Sequence, residues 1–198
     1  MGAKETQAAL AEILATMIDA DHVRSEWSVR ADATGGVYDK ASYAPRLDLA
    51  VGPFNVSPDR EVNVELIHRQ QRHPLIVALR REVIRQNHGG FYVNRNPRCL
   101  LAIELEYSTS SKHILGGITN ASLLGYIGII IGNERYIDKI RRIYEYACRL
   151  REVEKAHGDM FTNVACFQEE EFFELLEWAK ARVAPTGSVA SLIAAKGA

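Results

Sequence analysis

Residues 99–132, CLLAIELEYSTSSKHILGGITNASLLGYIGIIIG, constrain the fold more than any other stretch. Leu100 to Tyr107 is an apolar run with two carboxylates in alternation, Ser108 to Ser111 is a polar turn suited to capping a helix, and Tyr126 to Ile131 is largely β-branched and uncharged. Two buried strands joined by a helix that returns over the sheet make a parallel βαβ unit. The chain is therefore expected to be α/β. Strand side chains alternate between faces, so Glu104 and Glu106 point to the same side of the sheet, about 7 Å apart along the strand. A strand with purely structural duty has little reason to carry that pair.

The flanking sequence supplies more elements of the same class. From Glu5 to about Asp19, Leu10, Ile13, Leu14, Met17 and Ile18 recur at helical spacing and predict an amphipathic helix lying on one sheet face. His22 to Arg30 alternates enough to predict a strand, and Gly35 with Gly36 marks the following residues as a loop. Tyr43 to Phe54 predicts a second strand, with Leu47, Leu49 and Val51 on one face and Arg46, Asp48 and Ala50 on the other; Gly52-Pro53 closes it. Val62 to Asn87 is expected to be a long helical insertion whose main helix begins at Pro74. Beyond the central unit, Asn133 to His157 and Gln168 to Val183 read as surface helices, the second with Glu169 to Glu171 at the end where the helix dipole favours acids. One domain over residues 1–184 is expected, followed by a flexible tail at 185–198.

Charge and cysteine content exclude several classes. The 24 basic and 25 acidic residues nearly cancel, so overall charge argues neither for nucleic acid nor for acidic membranes. Cys99, Cys148 and Cys166 are odd in number and widely spaced, which fits neither a disulfide framework nor a zinc knuckle. No apolar run is long enough to span a bilayer, and no secretory leader opens the chain, so a cytoplasmic protein without membrane partners is expected.

Asp48 interrupts an otherwise apolar strand, and an unpaired carboxylate buried there would cost several kcal/mol or shift its pKa until neutral. Either Arg46 compensates it or a divalent cation does. If the Asp48 strand pairs beside the Glu104 strand, Asp48, Glu104 and Glu106 can place oxygens around one hard cation. Mg2+ or Mn2+ suits such ligation better than a calcium store, whose ligands come from flexible loops. A cation held this way lowers the pKa of bound water and neutralises charge on a phosphodiester.

The basic residues have their own pattern. Between His68 and Arg98, seven arginines (Arg69, Arg72, Arg80, Arg81, Arg85, Arg95 and Arg98) stand against one acid, Glu82, with Phe91 and Tyr92 alongside. This composition fits a nucleic-acid surface. It equally fits a solvated helix face paired with carboxylates of the same chain.

An opening helix, a strand near a glutamate, Arg46-Leu47-Asp48-Leu49 on a second strand, Ile103-Glu104-Leu105-Glu106 on a third, then helix and strand, resembles the PD-(D/E)xK nuclease superfamily over residues 5–132. The resemblance implies a restriction endonuclease-like mixed sheet with flanking helices, an αβββαβ core, and C-terminal helices added over 134–183. It implies metal-dependent hydrolysis of nucleic acid, as a DNA endonuclease, and admits a homodimer. By motif position, Asp48 and Glu104 would bind the metal, and Glu106 would occupy the place usually held by lysine, giving the E-x-E variant. Lys112, in the first turn of the next helix, could supply the missing cation, and Glu26 matches the extra acid that some members give to a second metal. Pro45 lies three residues before Asp48, not beside it. The alternative is a module that keeps the fold without turnover and binds nucleic acid or a protein.

Three further features need no catalytic reading. His113 fits a half-exposed helix position, Ser108 to Ser111 fit capping without the G-x-S-x-G elbow, and Gly116-Gly117 fits a close approach of helix to sheet.

Overall fold

In the computed structural model, periodic segments become ten principal helices and strands; it describes residues 2–18, 20–28, 45–54, 61, 64, 68, 70–87, 90–155 and 160–183. Arg69, the loop glycines Gly35 and Gly36, and the expected tail at 185–198 lie outside the described residues. The opening amphipathic segment forms α1 (Ala3–Met17) and leads into β1 (Val23–Ser28) and β2 (Arg46–Val51). Next comes α2 (Pro74–Gln86), which starts where proline pre-sets the first helical turn and the His73 side chain accepts a hydrogen bond from the Leu75 N–H. The central stretch gives β3 (Cys99–Leu105), α3 (Ser111–Leu124) and β4 (Gly125–Gly132), with Ser110 capping α3. The chain continues through α4 (Ile137–Glu152), β5 (Val164–Gln168) and α5 (Glu169–Lys180).

The five strands form one mixed sheet in the order β1-β2-β3-β4-β5. The first three are antiparallel neighbours, whereas β3, β4 and β5 run parallel. Strand β5 was absent from the sequence expectation, which placed only helices after the central unit. Its run Val164, Ala165, Cys166 and Phe167 is buried throughout and so lacks the alternation that marks a half-exposed strand.

Each sheet face has its own core. Leu10, Leu14 and Met17 of α1, Leu75, Leu79 and Val83 of α2, and Phe172 and Leu176 of α5 pack with Leu49, Val51, Leu101 and Ile103 on one face. On the other, Ile114, Ile118 and Ala121 of α3 and Ile140, Tyr144 and Ala147 of α4 pack with Ala50, Ala102, Ile130 and Cys166. Leu47 departs from its expected face: it joins Trp27 and Ala50 in the second core, not Leu49 and Val51. The change falls beside Glu26 in the neighbouring strand, whose φ of 52° is uncommon for a side-chain-bearing residue.

At the outer edge of the sheet, the Gln86 side chain meets the β5 backbone in both directions. Its Nε2 donates to the Cys166 carbonyl at 3.0 Å, and its Oε1 accepts from the Cys166 N–H at 2.8 Å. Among the described residues, no helix is long and apolar enough to cross a membrane.

Candidate functional site

Three acids from two strands gather on the α3 side of the sheet. The antiparallel register sets Leu49 opposite Ile103 and Ala50 opposite Ala102, which carries Asp48 to the level of Glu104. The Leu105 N–H donates to Asp48 Oδ2 at 2.8 Å, and Gln7 of α1 donates to the Asp48 carbonyl. Glu104 is only 7% exposed, and its Oε1 accepts from Asn120 Nδ2 of α3 at 3.3 Å. Glu106 lies one residue past β3, yet its N–H still donates to the Ile131 carbonyl at 2.8 Å and prolongs the pairing with β4.

Helix α3 comes close to both glutamates at Gly117. A Cβ there would lie 2.5 Å from Glu106 Oε1 and 3.6 Å from Glu104 Cβ, so both acids share this face, as strand alternation requires. Gly116 plays no such part, because a Cβ on it would meet nothing within 4 Å.

Crowding shows in the proton affinities. Burial, and then the negative charge of Asp48, pushes Glu104 up to about 8, against the pull of the Asn120 hydrogen bond. Burial and Asp48 push Glu106 up to about 7. Asp48 is itself raised by burial, opposed mainly by the Leu105 hydrogen bond, and its carboxyl is within hydrogen-bonding reach of Glu104. The charges bearing on Glu104 and Glu106 are those of other acids, and the positive charge bearing on Asp48 is that of Arg46, the smallest of its influences.

Of the remaining expected site residues, Glu26 falls between Ser25 and Trp27, opposite Asp48 in the β1–β2 register, and the others stand elsewhere. Glu26 holds Arg46 in an ion pair at 3.0 Å, with both side chains largely exposed, though the charge of Glu26 still reaches Asp48. Lys112 is exposed in the first turn of α3, and so is His113. Arg80 stacks over Phe91 at 5.0 Å and Arg85 grips Glu82, while Arg72, Arg81 and Arg95 are exposed. The Arg98 N–H donates to the Leu124 carbonyl just before β3 begins. Six residue steps along the strand then take the chain to Glu104, about 20 Å away. Arg95 and Arg98 therefore lie at the opposite end of the sheet from the acids.

Two groups at the site were not expected from sequence. Asn120 sits one helical turn beyond Gly117, at a spacing that puts both on the sheet-facing side, and this is the signal that could have found it. Gln7 is a polar position on an amphipathic helix and carries no such signal. A third polar cluster borders the acids: Tyr107 OH donates to Glu169 Oε2 at 2.7 Å and Thr6 Oγ1 donates to Glu169 Oε1 at 2.9 Å, tying α1 and α5 to the residue after Glu106. Burial pushes Tyr107 up to about 12.

Oxygen-only donors with an excess of negative charge suit a hard cation such as Mg2+ or Mn2+. Among the described residues, however, no three Asp, Glu, His or Cys side chains already surround one point as ligands would. Comparisons with known protein families, curated proteins and solved structures return no match.

Proposed function

We propose that this protein is a metal-dependent phosphodiesterase acting on nucleic acid, a DNA endonuclease of the PD-(D/E)xK type in its E-x-E form. The observation that carries the reading is the meeting of Asp48, Glu104 and Glu106 on one sheet face, with Glu104 and Glu106 raised by burial and by acidic neighbours. The order α1-β1-β2-α2-β3-α3-β4, with three antiparallel strands followed by a parallel crossover, supports an αβββαβ core of that superfamily into which α2 is inserted between β2 and β3.

Asp48 and Glu104 would hold the cation, each through a carboxylate with one oxygen already fixed by a protein donor. The bound Mg2+ or Mn2+ would supply a more acidic water and charge neutralisation at the scissile phosphate. Glu106, half-buried and shifted to about 7, is suited to accept a proton near neutral pH in the place where lysine usually stands.

A second reading has its own support: Glu104 is nearly covered by α3, and Arg95 and Arg98 lie far from it. On that reading the chain is a nuclease-like module that binds nucleic acid or a protein partner without turnover. A nicking assay on supercoiled and single-stranded DNA with Mg2+ and Mn2+ separates the two. Cleavage by the wild type that is lost in Asp48→Ala and Glu104→Ala is expected; cleavage unchanged in both variants would sink the metal-site reading, and salt-sensitive binding without cleavage would favour the second.

A further inference from the structure

We propose that Asn120 is a positioning residue that fixes the Glu104 carboxylate for a divalent cation; the inference rests on the metal-dependent reading above. Asp48 and Glu104 are each held at one oxygen by a donor that does not titrate in the working range. For Asp48 the donor is the Leu105 N–H, part of the sheet itself. For Glu104 it is the Asn120 side-chain amide, which reaches Oε1 from α3.

The helix that presents Asn120 is well anchored. Ile114, Ile118 and Ala121 are fully buried in the second core, and Ser110 caps the first turn. Gly117 lets the same helix lie against Glu106 and the Glu104 stem, so Asn120 meets Glu104 without α3 having to tilt. Held at Oε1, the Glu104 carboxylate loses rotational freedom about its last side-chain bond and stays beside Asp48. Outer-shell donors of this kind change metal affinity by about 10- to 100-fold when removed. An asparagine that merely satisfied a buried acid would matter for folding and leave metal affinity unchanged.

The test is Mn2+ binding to the full chain, followed by electron paramagnetic resonance, together with melting of the metal-free protein in chelator. Wild type is expected to bind Mn2+, Asp48→Ala to lose it, and Asn120→Ala to bind about 10- to 100-fold more weakly. Saturating Mn2+ should restore the bound spectrum of Asn120→Ala. Wild-type binding with Asn120→Ala within twofold of it would overturn the positioning role. No binding by wild type would overturn the metal-dependent reading, and the inference with it. Should Asn120→Ala fail to fold, Asn120→Ser decides on the same terms, since its shorter hydroxyl falls short of Glu104.

Discussion

The two ends of the parallel strands both bury polar groups, and they do so in opposite ways. Where β3, β4 and β5 begin, the groups are neutral and matched. Asn94 Nδ2 donates to the carbonyls of Leu123 and Gly125, Asn163 Nδ2 to those of Ser122 and Gly125, and Ser122 Oγ donates to Asn163 Oδ1 at 2.8 Å. Tyr144 OH donates to Asn87 Oδ1 and to the carbonyls of Phe161 and Val164, and Asn87 Nδ2 donates to the Thr162 carbonyl, which closes the same end. Where β3 ends, Asp48, Glu104 and Glu106 offer acceptors, few donors face them, and their proton affinities rise. A closed neutral network specifies a core, whereas a cluster of acids opposes folding until protons or a cation join it. The first end is built for stability and the second against it, which is the pattern expected of a working site.

This contrast can be broken most directly at the neutral end. Asn163→Ala removes three buried hydrogen bonds, leaving the Ser122 and Gly125 carbonyls to Asn94 alone and the Ser122 hydroxyl without its acceptor, so unfolding free energy should fall by about 3 kcal/mol, read from the denaturation midpoint. Mn2+ binding by the variant should stay as in wild type. A loss below about 1 kcal/mol would mean that the neutral network is not what holds that end together.

The acidic end should respond to pH with the opposite sign from an ordinary salt-bridged carboxylate. Glu104 and Glu106 have folded values of about 8 and about 7, above the ordinary 4.5. The folded chain therefore binds more protons across that window, and stability is lost as pH rises through the folded values. Melting temperature in chelator should fall between about pH 5 and 8, and excess Mg2+ should shrink the fall. Glu104→Gln removes the most shifted charge and should raise metal-free stability at pH 8 by on the order of 2 kcal/mol. A flat profile in wild type, unaltered in the variant, would erase the distinction between the two ends.

The smallest effects compare adjacent glycines. Gly117→Ala would drive a methyl into Glu106 Oε1 and should destabilise by about 1 kcal/mol net, since overpacking outweighs the helix-propensity gain. Gly116→Ala has open space and should stabilise by up to about 1 kcal/mol. Equal responses in thermal melts would show that α3 does not press on the acids.

Much of this was legible from periodicity. The alternating run of β3, the small residues of α3 and the apolar β4 announce the central unit, and Asp48 stands out because it breaks an apolar strand. What periodicity could not convey was position across the sheet. The arginine count says nothing of which end the arginines occupy, although residue order already set Arg95 and Arg98 before the strand that carries the acids towards its other end. Leu47 misled because alternation assumes regular backbone, and the unusual φ of Glu26 in the strand beside it is invisible in sequence. Asn120 escaped notice because its partner is sixteen positions away and contact depends on how closely α3 lies on the sheet.

The paired hydrogen bonds between the Gln86 amide and Cys166 have a consequence for association. An outer strand normally offers its backbone to any extended segment that arrives, whether from a second copy or from an unfolding neighbour. Here a side-chain amide, the chemical equivalent of one peptide unit, already occupies the donor and acceptor at the middle of β5. A newcomer would have to evict Gln86 before its first pair of bonds could form, so growth of the sheet across β5 into a continuous assembly is obstructed at its starting point.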